Sequence, residues 1–466
     1  MTELKNGKLL LLNPFTTARF SKDGRCQTES GAWLDTFPPV MLPSIAGLAR
    51  RKHRTKLVDC VGERRPFVKA LPEVEEFSPD LTVVNTSISS LAEDLEAGHV
   101  VKERTGSRIA VYGEHCTFEY KAVLKRFPFV DYVIRGEAET PVVRIMEGDE
   151  RAAGVATRKH AAGIWREPDL DVLPFPAYDM LPDYRFPLTG ERWAWIRSGR
   201  GCPNRCMFCS VPSLYGTRPR FHSVDYMIRQ LDWVVNGLGI KLGMFWDDTH
   251  TLDRRRTLEL SKRLVESGLS KNFSYLCTTR ADKVDDAVMK GLKASGCRMI
   301  AFGLESGSQK VLDASKKNLK LKDSINAVKL ARKYDIASVG HFILGLPGSD
   351  EAEDMKTIKF SDGVGIDFAQ FYTAAPFAGC GLNELAKKKG WLTAVRGGSV
   401  QHNTMLSYLE YTADRIGRMR ELAYRTFYTS PNRLRSAGSY MRLLRYPHNI
   451  IRSALKAGSF AGWAFR

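Results

Sequence analysis

Three cysteines lie within eight residues of one another, with C-x3-C-x2-C spacing, and glycines precede them. Such a loop can wrap its backbone around a compact inorganic group. Four thiolates would complete the coordination of an iron–sulfur cluster, whereas Cys202, Cys206 and Cys209 leave one iron open to a substrate or cofactor. A structural zinc site is the alternative, but the nearest further ligand, His222, lacks finger-like spacing. The spacing therefore indicates a 4Fe–4S cluster with an open iron.

This spacing resembles that of the radical S-adenosylmethionine (SAM) enzymes, in which the open iron binds SAM. Phe208, directly before the last cysteine, matches an aromatic position of that family whose side chain packs beside the adenine. The resemblance implies that Cys202, Cys206 and Cys209 are the catalytic metal ligands, that SAM is cleaved reductively, and that Phe208 contacts SAM.

Strand and helix patterns alternate again between residues 193 and 372, which predicts a parallel partial (β/α)6 barrel. In parallel barrels the chemistry lies at the carboxyl ends of the strands. The resemblance implies SAM contacts at residues that follow these strands, namely Asp247 and Asp248 for the amino group, Arg280, Glu305 and Ser306 for the carboxylate or ribose, and Gly345 and Pro347 for the adenine. The paired acids can equally cap the helix that begins near Asp253.

The first 147 residues also alternate apolar runs with helical patterns, with predicted strands at 8–12, 56–59, 81–85, 108–112 and 131–134. This alternation predicts an α/β, flavodoxin-like or Rossmann-like doubly wound sheet that binds ligands at the carboxyl ends of its strands. The loops at those ends carry small or polar residues that let a flat cofactor approach the backbone: Asn13, Thr86, Ser87, Gly113, Gly136 and Glu137.

A domain of this kind before a radical SAM core is similar to the cobalamin-binding radical SAM enzymes, called class B among the methyltransferases. The similarity rests on three turns and a proline-rich connector: Asn13-Pro14, Gly113-x-His115, Gly136-Glu137 and residues 173–179. It implies that the loop residues named above bind cobalamin. The D-x-H-x-x-G signature of a cobalt-ligating histidine does not occur in the sequence, and His115 is expected to pack or hydrogen-bond. A domain that has lost cobalamin and only shapes the substrate site is the alternative.

Six further cysteines are not part of the triad. Cys26, Cys60 and Cys116 are expected to be buried structural residues, because the second cluster of methylthiotransferases needs a cysteine where this chain has Thr86-Ser87. Cys277 and Cys297 are expected in the core. Cys380 lies in a loop, so a methyl-carrying cysteine of the RNA-methylase kind is the alternative to ordinary burial.

Length and composition divide the 466-residue chain into a sheet domain at 1–147, a proline-rich linker at 148–190, a radical SAM core at 191–380 and a basic helical region at 381–466. No apolar run is long enough to span a membrane, and the N-terminus does not resemble a signal peptide. We therefore expect a cytoplasmic protein whose cysteines do not form disulfides.

The net charge of +18 is concentrated at the C-terminus, where residues 411–466 hold eleven basic and two acidic residues. Apolar residues recur there at helical spacing beside arginines, at 434–444 and again at 450–456. Such helices can cap the barrel or can lie peripherally on an anionic membrane surface. The excess charge indicates an anionic partner, and nucleic acid is not favoured.

These observations predict a cobalamin-dependent radical SAM methyltransferase that acts on an unactivated carbon of a small-molecule or lipid-like substrate. The resemblance implies a 5′-deoxyadenosyl radical, methylcobalamin and an external flavodoxin-type or ferredoxin-type electron donor. A cobalamin-dependent cyclase or ring-rearranging enzyme without methyl transfer is the alternative, and a non-catalytic sensor is a third hypothesis. Phe371, Tyr372 and Phe377 are aromatic candidates for substrate contacts.

Overall fold

The computed structural model describes residues 6–15, 22, 37–186, 189–393 and 404–432. These residues divide into two compact units. The first comprises the described residues up to Tyr184 together with Ser210–Arg220, and the second comprises Arg185–Cys209 and the described residues from Phe221 onward. Within the described ranges, none of the helices combines the length and apolar character needed to cross a bilayer.

The first unit is built on a six-stranded sheet flanked by helices. Its main elements are β1 (Lys8–Asn13), α1 (Met41–Ala49), β2 (Arg54–Asp59), α2 (Phe67–Phe77), β3 (Leu81–Asn85), α3 (Leu91–Thr105), β4 (Arg108–Tyr112), α4 (Glu114–Phe118), α5 (Tyr120–Arg126), β5 (Tyr132–Ile134), α6 (Glu139–Met146) and β6 (Val155–Ala156). The strand order is β2-β1-β3-β4-β5-β6, and only the β5–β6 pair is antiparallel. This order of the parallel strands is that of flavodoxin-like sheets, so the predicted fold class is confirmed for this part of the chain.

The leucine run of β1 explains why this strand lies in the interior of the sheet, between β2 and β3. Leu9 and Leu11 belong to one apolar cluster with residues of α1 and α6, whereas Leu10 and Leu12 belong to another with residues of α2 and α3. Successive side chains of a strand point to opposite faces of the sheet. A strand that is covered by helices on both faces therefore consists of consecutive apolar residues.

The proline-rich segment that was predicted as a linker packs against the first unit. It includes 3-10 turns at Leu170–Val172 and Tyr178–Met180. Ala177 N donates to Pro43 O over 2.8 Å, and a Cβ placed on Gly47 would lie 2.4 Å from Phe175 O. A glycine in α1 is therefore required for this close approach.

From Trp193 onward, six parallel strands form the second sheet, and helices lie between them in the chain. In chain order the elements are β7 (Trp193–Ile196), β8 (Gly199–Arg200), α7 (Val211–Leu214), β9 (Arg220–Phe221), α8 (Val224–Asp232), β10 (Leu242–Phe245), α9 (Arg254–Glu266), β11 (Ser274–Thr279), α10 (Asp286–Ala294), β12 (Cys297–Glu305), α11 (Gln309–Ala314), α12 (Leu321–Lys333), β13 (Ala337–Leu344), α13 (Glu351–Gly363), β14 (Phe368–Thr373), α14 (Gly381–Lys389) and α15 (Ala413–Thr429). The order β14-β13-β12-β11-β10-β7 puts consecutive barrel strands side by side, as the predicted partial (β/α)6 barrel requires.

Alternation along β14 separates the aromatic residues that the sequence suggested as substrate contacts. Phe371 is fully buried and packs edge-on against Tyr424 and Phe427 of α15. Its neighbour Tyr372 points to the opposite face, where its ring stacks on His341 with centroids 5.7 Å apart. Phe371 therefore belongs to the core, and Tyr372 remains the candidate on the other face.

The helix α15 covers the outer face of β14 and packs beside α13. Its buried side chains recur at helical spacing and include Ile416, Ala423 and Phe427. The basic helical patterns predicted at 434–444 and 450–456 lie outside the described residues, so the proposed membrane contact stays a prediction.

His53 lies buried in the turn between α1 and β2, and among the described residues none forms a hydrogen bond with either ring nitrogen. Burial lowers the pKa of His53 below its ordinary value; Glu147 opposes this effect and Lys52 adds to it. The unfolded chain therefore binds this proton more readily than the folded chain. Stability from this group is present above the ordinary histidine pKa and is lost as the pH falls below it.

We expect the thermal unfolding midpoint of the wild-type chain to fall between about pH 7.5 and about pH 5.5, the range in which an ordinary histidine takes up its proton. The His53→Leu variant removes the titrating ring and should show a smaller fall over the same interval. Calorimetry at both pH values measures the difference. Equal falls in both proteins would show that His53 does not contribute.

Candidate functional site

The cysteine loop lies at the carboxyl edge of the second sheet, after β7 and the short β8. Cys202 and Cys206 are buried, and Cys209 is partly exposed. Asn204 Nδ2 donates to Cys202 Sγ over 3.3 Å, and Arg280 Nη1 lies 3.8 Å from Cys206 Sγ. Burial raises the pKa of the Cys206 thiol, and the positive charges of Lys317 and Arg280 oppose this rise.

Among the described residues, no group of three or more His, Cys, Asp or Glu side chains is arranged to hold a single metal ion. A 4Fe–4S cluster requires a different arrangement of donors, because each thiolate binds its own iron atom. The three thiols on one anchored loop, with amide and guanidinium donors beside two sulfurs, match that requirement.

Asp247, at the end of β10, holds the start of the cysteine loop in place. Its carboxylate accepts hydrogen bonds from Ser198 N at 2.6 Å, Ser198 Oγ at 2.7 Å and Gly199 N at 2.9 Å, and His250 Nδ1 lies 2.8 Å from Oδ2. Burial alone would raise the pKa of Asp247, but the hydrogen bond and charge of His250, with Ser198, bring it to about 2. The predicted SAM ligand is therefore a charged anchor for backbone amides.

Asp248 and Arg256 fix the same loop from two further directions. Asp248 Oδ2 accepts from Gly201 N at 2.8 Å. Arg256 Nη2 donates to Ser198 O over 3.2 Å and to His222 O over 3.0 Å. The alternative prediction, that Asp247 and Asp248 cap α9, is wrong. The N-cap residue of α9 is Asp253. Asp247, Asp248 and Arg256 together therefore fix the backbone at the start of the cysteine loop.

Arg280 follows β11 and reaches the middle of the cysteine loop. Its guanidinium forms a salt bridge with Asp282 at 2.8 Å and donates to Lys317 O over 3.0 Å. Burial tends to lower the pKa of Arg280, but Asp282 outweighs this and raises it. Arg280 therefore contributes a fixed positive charge beside Cys206.

Glu305 and Ser306 follow β12 and differ in what they contact. Glu305 has a positive φ of 64° and pairs with Lys317 Nζ at 2.6 Å. Ser306 is fully buried, and its hydroxyl lies 2.8 Å from Thr357 Oγ1 of α13. Glu305 thus lies among the charged groups near Cys206, whereas Ser306 connects β12 to α13.

The Gly345–Pro347 turn after β13 is held by a buried carboxyl group. Asp354 Oδ2 accepts from Gly345 N at 2.9 Å and from the Tyr411 hydroxyl at 2.5 Å, and the Tyr408 hydroxyl donates to Gly345 O over 2.8 Å. Burial raises the pKa of Asp354 to about 6, against the hydrogen bonds from Ser349, Tyr411 and Gly345. Residues from the far end of the chain therefore position this turn.

Phe208 is half-buried and packs against an apolar cluster that contains Cys380. Cys380 is 1% exposed at the residue before α14. The alternative of a methyl-carrying thiol requires access, and this burial favours the ordinary core role. Cys60, Cys116, Cys277 and Cys297 are buried as predicted, and Cys26 lies outside the described residues.

Polar residues also gather at the carboxyl edge of the first sheet. Asn13 Nδ2 donates to Asp59 Oδ1 over 2.7 Å, and the Tyr184 hydroxyl donates to Asp59 Oδ2 over 2.6 Å. Burial raises the pKa of Asp59 against these hydrogen bonds. Asn85 Nδ2 is 3.4 Å from Asn13 Oδ1. Asn85 is 1% exposed, and its Oδ1 has no hydrogen-bond partner within the described part of the chain.

The other loop residues predicted to bind a flat cofactor are largely held by contacts within the first unit. Thr86 Oγ1 donates to Tyr112 O over 2.7 Å, and a Cβ on Gly113 would lie 2.6 Å from Thr86 O. Ser87 Oγ lies 2.8 Å from Ser90 Oγ. Gly136 packs against Trp165 O, and Glu137 pairs with Arg220. Their contact with a cofactor stays a prediction.

Sequence reasoning missed the residues that support the motifs. Lys317, His250, Arg256, Asp354 and Asn85 belong to no motif, and some of their partners lie far along the chain, such as Ser198 for Arg256. A polar residue within or just after a buried strand was the available signal only for Asn85 and His250.

Comparison with known proteins agrees with this arrangement. Residues 196–361 match the radical SAM superfamily, whose enzymes use a 4Fe–4S cluster and SAM. The chain is 29% identical over 409 residues to an uncharacterized methyltransferase of Pyrococcus horikoshii, covering 85% of this chain and 89% of that protein. It is 23% identical over 370 residues to the anaerobic magnesium-protoporphyrin IX monomethyl ester cyclase of Cereibacter sphaeroides, covering 75% of this chain and 60% of the cyclase.

Among solved structures, the fold is similar to that of the radical SAM methyltransferase TsrM from Kitasatospora setae. With cobalamin and a 4Fe–4S cluster bound, that protein superposes with a TM-score of 0.66 at 15% sequence identity, covering 89% of this chain and 81% of TsrM. The similarity extends over both sheets. Residues 196–361 thus form the radical SAM domain of an enzyme, and the chain is similar in fold to a radical SAM methyltransferase whose structure contains bound cobalamin.

Proposed function

We propose that this enzyme is a cobalamin-dependent radical SAM methyltransferase that methylates an unactivated carbon of a small-molecule or lipid-like substrate. The observation that carries the proposal is the three-cysteine loop, anchored by Asp247 and Asp248 at the carboxyl edge of the six-stranded parallel sheet. The methyltransferases among the relatives support methyl transfer as the reaction.

Cys202, Cys206 and Cys209 would hold the cluster, and the iron without a thiolate would bind SAM. When bound, the cluster supplies the electron that cleaves SAM, and cobalamin supplies the carrier of the methyl group. The chain places Phe208, Arg280 and Glu305 around this loop and holds the backbone rigid, so that SAM meets a preformed site. An external flavodoxin-type or ferredoxin-type protein would deliver the electron.

The first unit fits cobalamin through one feature in particular. Asn85 Oδ1 is a buried acceptor to which no described residue donates a hydrogen bond, at the carboxyl end of β3 beside Thr86 and Ser87. A buried acceptor left unpaired costs about 1–3 kcal/mol, so a donor from a bound group would recover that energy. The primary amides around a corrin ring are such donors. Asn85 would therefore accept a hydrogen bond from one of them.

The second candidate function uses the same cofactors without methyl transfer, and the similarity to the anaerobic cyclase favours it as the alternative. The two functions differ in what becomes of SAM. Methyl transfer converts one SAM to S-adenosylhomocysteine for each 5′-deoxyadenosine formed, whereas the cyclase reaction does not form S-adenosylhomocysteine.

The protein, reconstituted anaerobically with iron, sulfide and cobalamin, should release both products in equal amounts when it turns over its substrate with SAM and a reductant. Liquid chromatography with mass spectrometry measures both. 5′-Deoxyadenosine without S-adenosylhomocysteine would favour the alternative. The Cys206→Ala variant should form neither a complete cluster nor 5′-deoxyadenosine, whereas Cys60→Ala, at a buried thiol in the first unit, should retain both. Undiminished 5′-deoxyadenosine from Cys206→Ala would contradict the proposal.

The Asp247→Asn variant tests whether the cysteine loop depends on its buried anchor. Hydrogen bonds to charged groups contribute about 1.5–3 kcal/mol each, and the amide loses both the charge and one acceptor oxygen. We expect iron to be lost to a chelator roughly tenfold faster, the factor that corresponds to about 1.4 kcal/mol. Absorbance of the iron–chelator complex measures this rate under anaerobic conditions.

Asp253→Asn is the matched control for this measurement. It makes the same change six residues along the chain, at an exposed helix cap where asparagine serves equally well. Its rate of iron loss should equal that of the wild-type protein. Equal rates for Asp247→Asn and Asp253→Asn would show that the carboxylate of Asp247 does not stabilise the loop.

The Asn85→Leu variant tests the proposed corrin contact. We expect its dissociation constant for hydroxocobalamin to rise by roughly tenfold, since about 1.4 kcal/mol of binding free energy is lost with the acceptor. Titration followed by cobalamin absorbance measures this constant without turnover. Thr82→Val is the control, because Thr82 lies in the same strand near its opposite end and bonds to Ser107. Unchanged affinity of Asn85→Leu would exclude the contact.

A further inference from the structure

The loop of residues 315–318, which follows α11, is held in an unfavourable backbone conformation. Lys316 and Asn318 have φ values of 53° and 50°, in the left-handed region that residues other than glycine rarely adopt. Such conformations persist where surrounding contacts fix them, and they concentrate at functional sites. Here Met207 N donates to Ser315 O over 3.0 Å, and Arg280 Nη2 donates to Lys317 O and Asn318 O. The strained loop is therefore tied directly to the cysteine loop.

This conformation turns the side chain of Lys317 inward. Lys317 is 4% exposed, although Lys316 and Asn318 on either side of it are exposed. Its Nζ lies 2.6 Å from Glu305 Oε1 and 5.9 Å from the centroid of the Phe208 ring. A buried lysine costs stability unless its charge is compensated, and Glu305 provides that compensation.

Gly303 in β12 has no side chain, which leaves room for this ion pair. A Cβ on Gly303 would lie 2.6 Å from Glu305 Oε1 and 3.1 Å from Lys317 Nζ. The pair therefore lies against the bare backbone of the strand. Its position is set by packing on that strand and by the strained loop, which leaves the ammonium group little freedom to move.

The charge of Lys317 reaches the cysteine loop. Arg280 links Lys317 to that loop, because its Nη2 donates to Lys317 O over 3.0 Å while its Nη1 lies 3.8 Å from Cys206 Sγ. A positive charge held this near to thiolates favours the more negative of two oxidation states of the cluster that they bind. Arg280 is neutralised locally by Asp282, and Lys317 is neutralised by Glu305, so each cation is balanced by a nearby carboxylate.

We propose that Lys317 is a positioning residue that, through its fixed ion pair with Glu305 beside Phe208, sets the reduction potential of the iron–sulfur cluster. The inference rests on the proposed function, in which Cys206 is a cluster ligand. In the step concerned, one electron passes from the external donor to the oxidised cluster, whose net charge becomes more negative by one. The step as proposed transfers one electron and no proton.

The Lys317→Met variant keeps the length of the side chain and removes the charge. We expect the equilibrium for reduction of the cluster to become less favourable by roughly tenfold, which for one electron corresponds to a potential about 59 mV lower. The measurement is a redox titration of the reconstituted protein without SAM, followed by electron paramagnetic resonance of the reduced cluster. Lys317→Arg keeps the charge and should restore most of the shift.

Lys316→Met is the matched control, since it removes the same charge one residue earlier at an exposed position where solvent and salt screen it. Its potential should equal that of the wild-type protein. A wild-type potential in Lys317→Met with a full iron content would overturn the inference, as would an equal shift in Lys316→Met.

Two further results separate the inference from the function on which it rests. If Lys317→Met fails to retain iron, Glu305→Gln gives an independent test, because loss of the opposing negative charge should raise the potential; an unchanged or lowered potential in Glu305→Gln overturns the inference. If the wild-type protein itself takes up no cluster, the proposed function has failed, whatever the role of Lys317.

Discussion

The buried carboxylate of Asp247 is the constraint on which the site of the second unit depends. A loop that wraps a metal cluster has too many backbone amides for the loop itself to satisfy, and its glycines give it many alternative conformations. Asp247 removes this freedom, because it accepts from two consecutive amides at the loop start while His250 and Ser198 keep it ionised. Asp247 thereby connects the start of the loop to the end of β10 through one buried charge.

The buried cations near this anchor are also paired with carboxylates. Two buried cations near the cysteines each have a carboxylate partner: Arg280 has Asp282, and Lys317 has Glu305. Buried charges without such partners would cost several kcal/mol each. These pairs therefore let the site hold two cations beside the thiols.

The strands of the two sheets could be predicted from the sequence better than the side-chain contacts of the site, for a physical reason. The strands β3 and β4 were predicted with their observed bounds, because parallel strands covered on both faces are continuous apolar runs bounded by polar residues. The three cysteines were recognisable since their spacing is local. Asp247 and Glu137 were noticed as polar residues at strand ends, but their partners Ser198 and Arg220 are separated from them by 49 and 83 residues. Pairings of that kind depend on tertiary packing, which no local pattern encodes.

The carboxyl group of Asp354 forms hydrogen bonds with two segments that are distant in the sequence. The turn at Gly345, proposed to face a nucleotide base, receives support from Tyr408 and Tyr411, which belong to the segment that precedes α15. A change in this segment that removed the Tyr411 hydroxyl would leave the buried acid without its phenol partner, so the segment and the turn constrain each other's sequence.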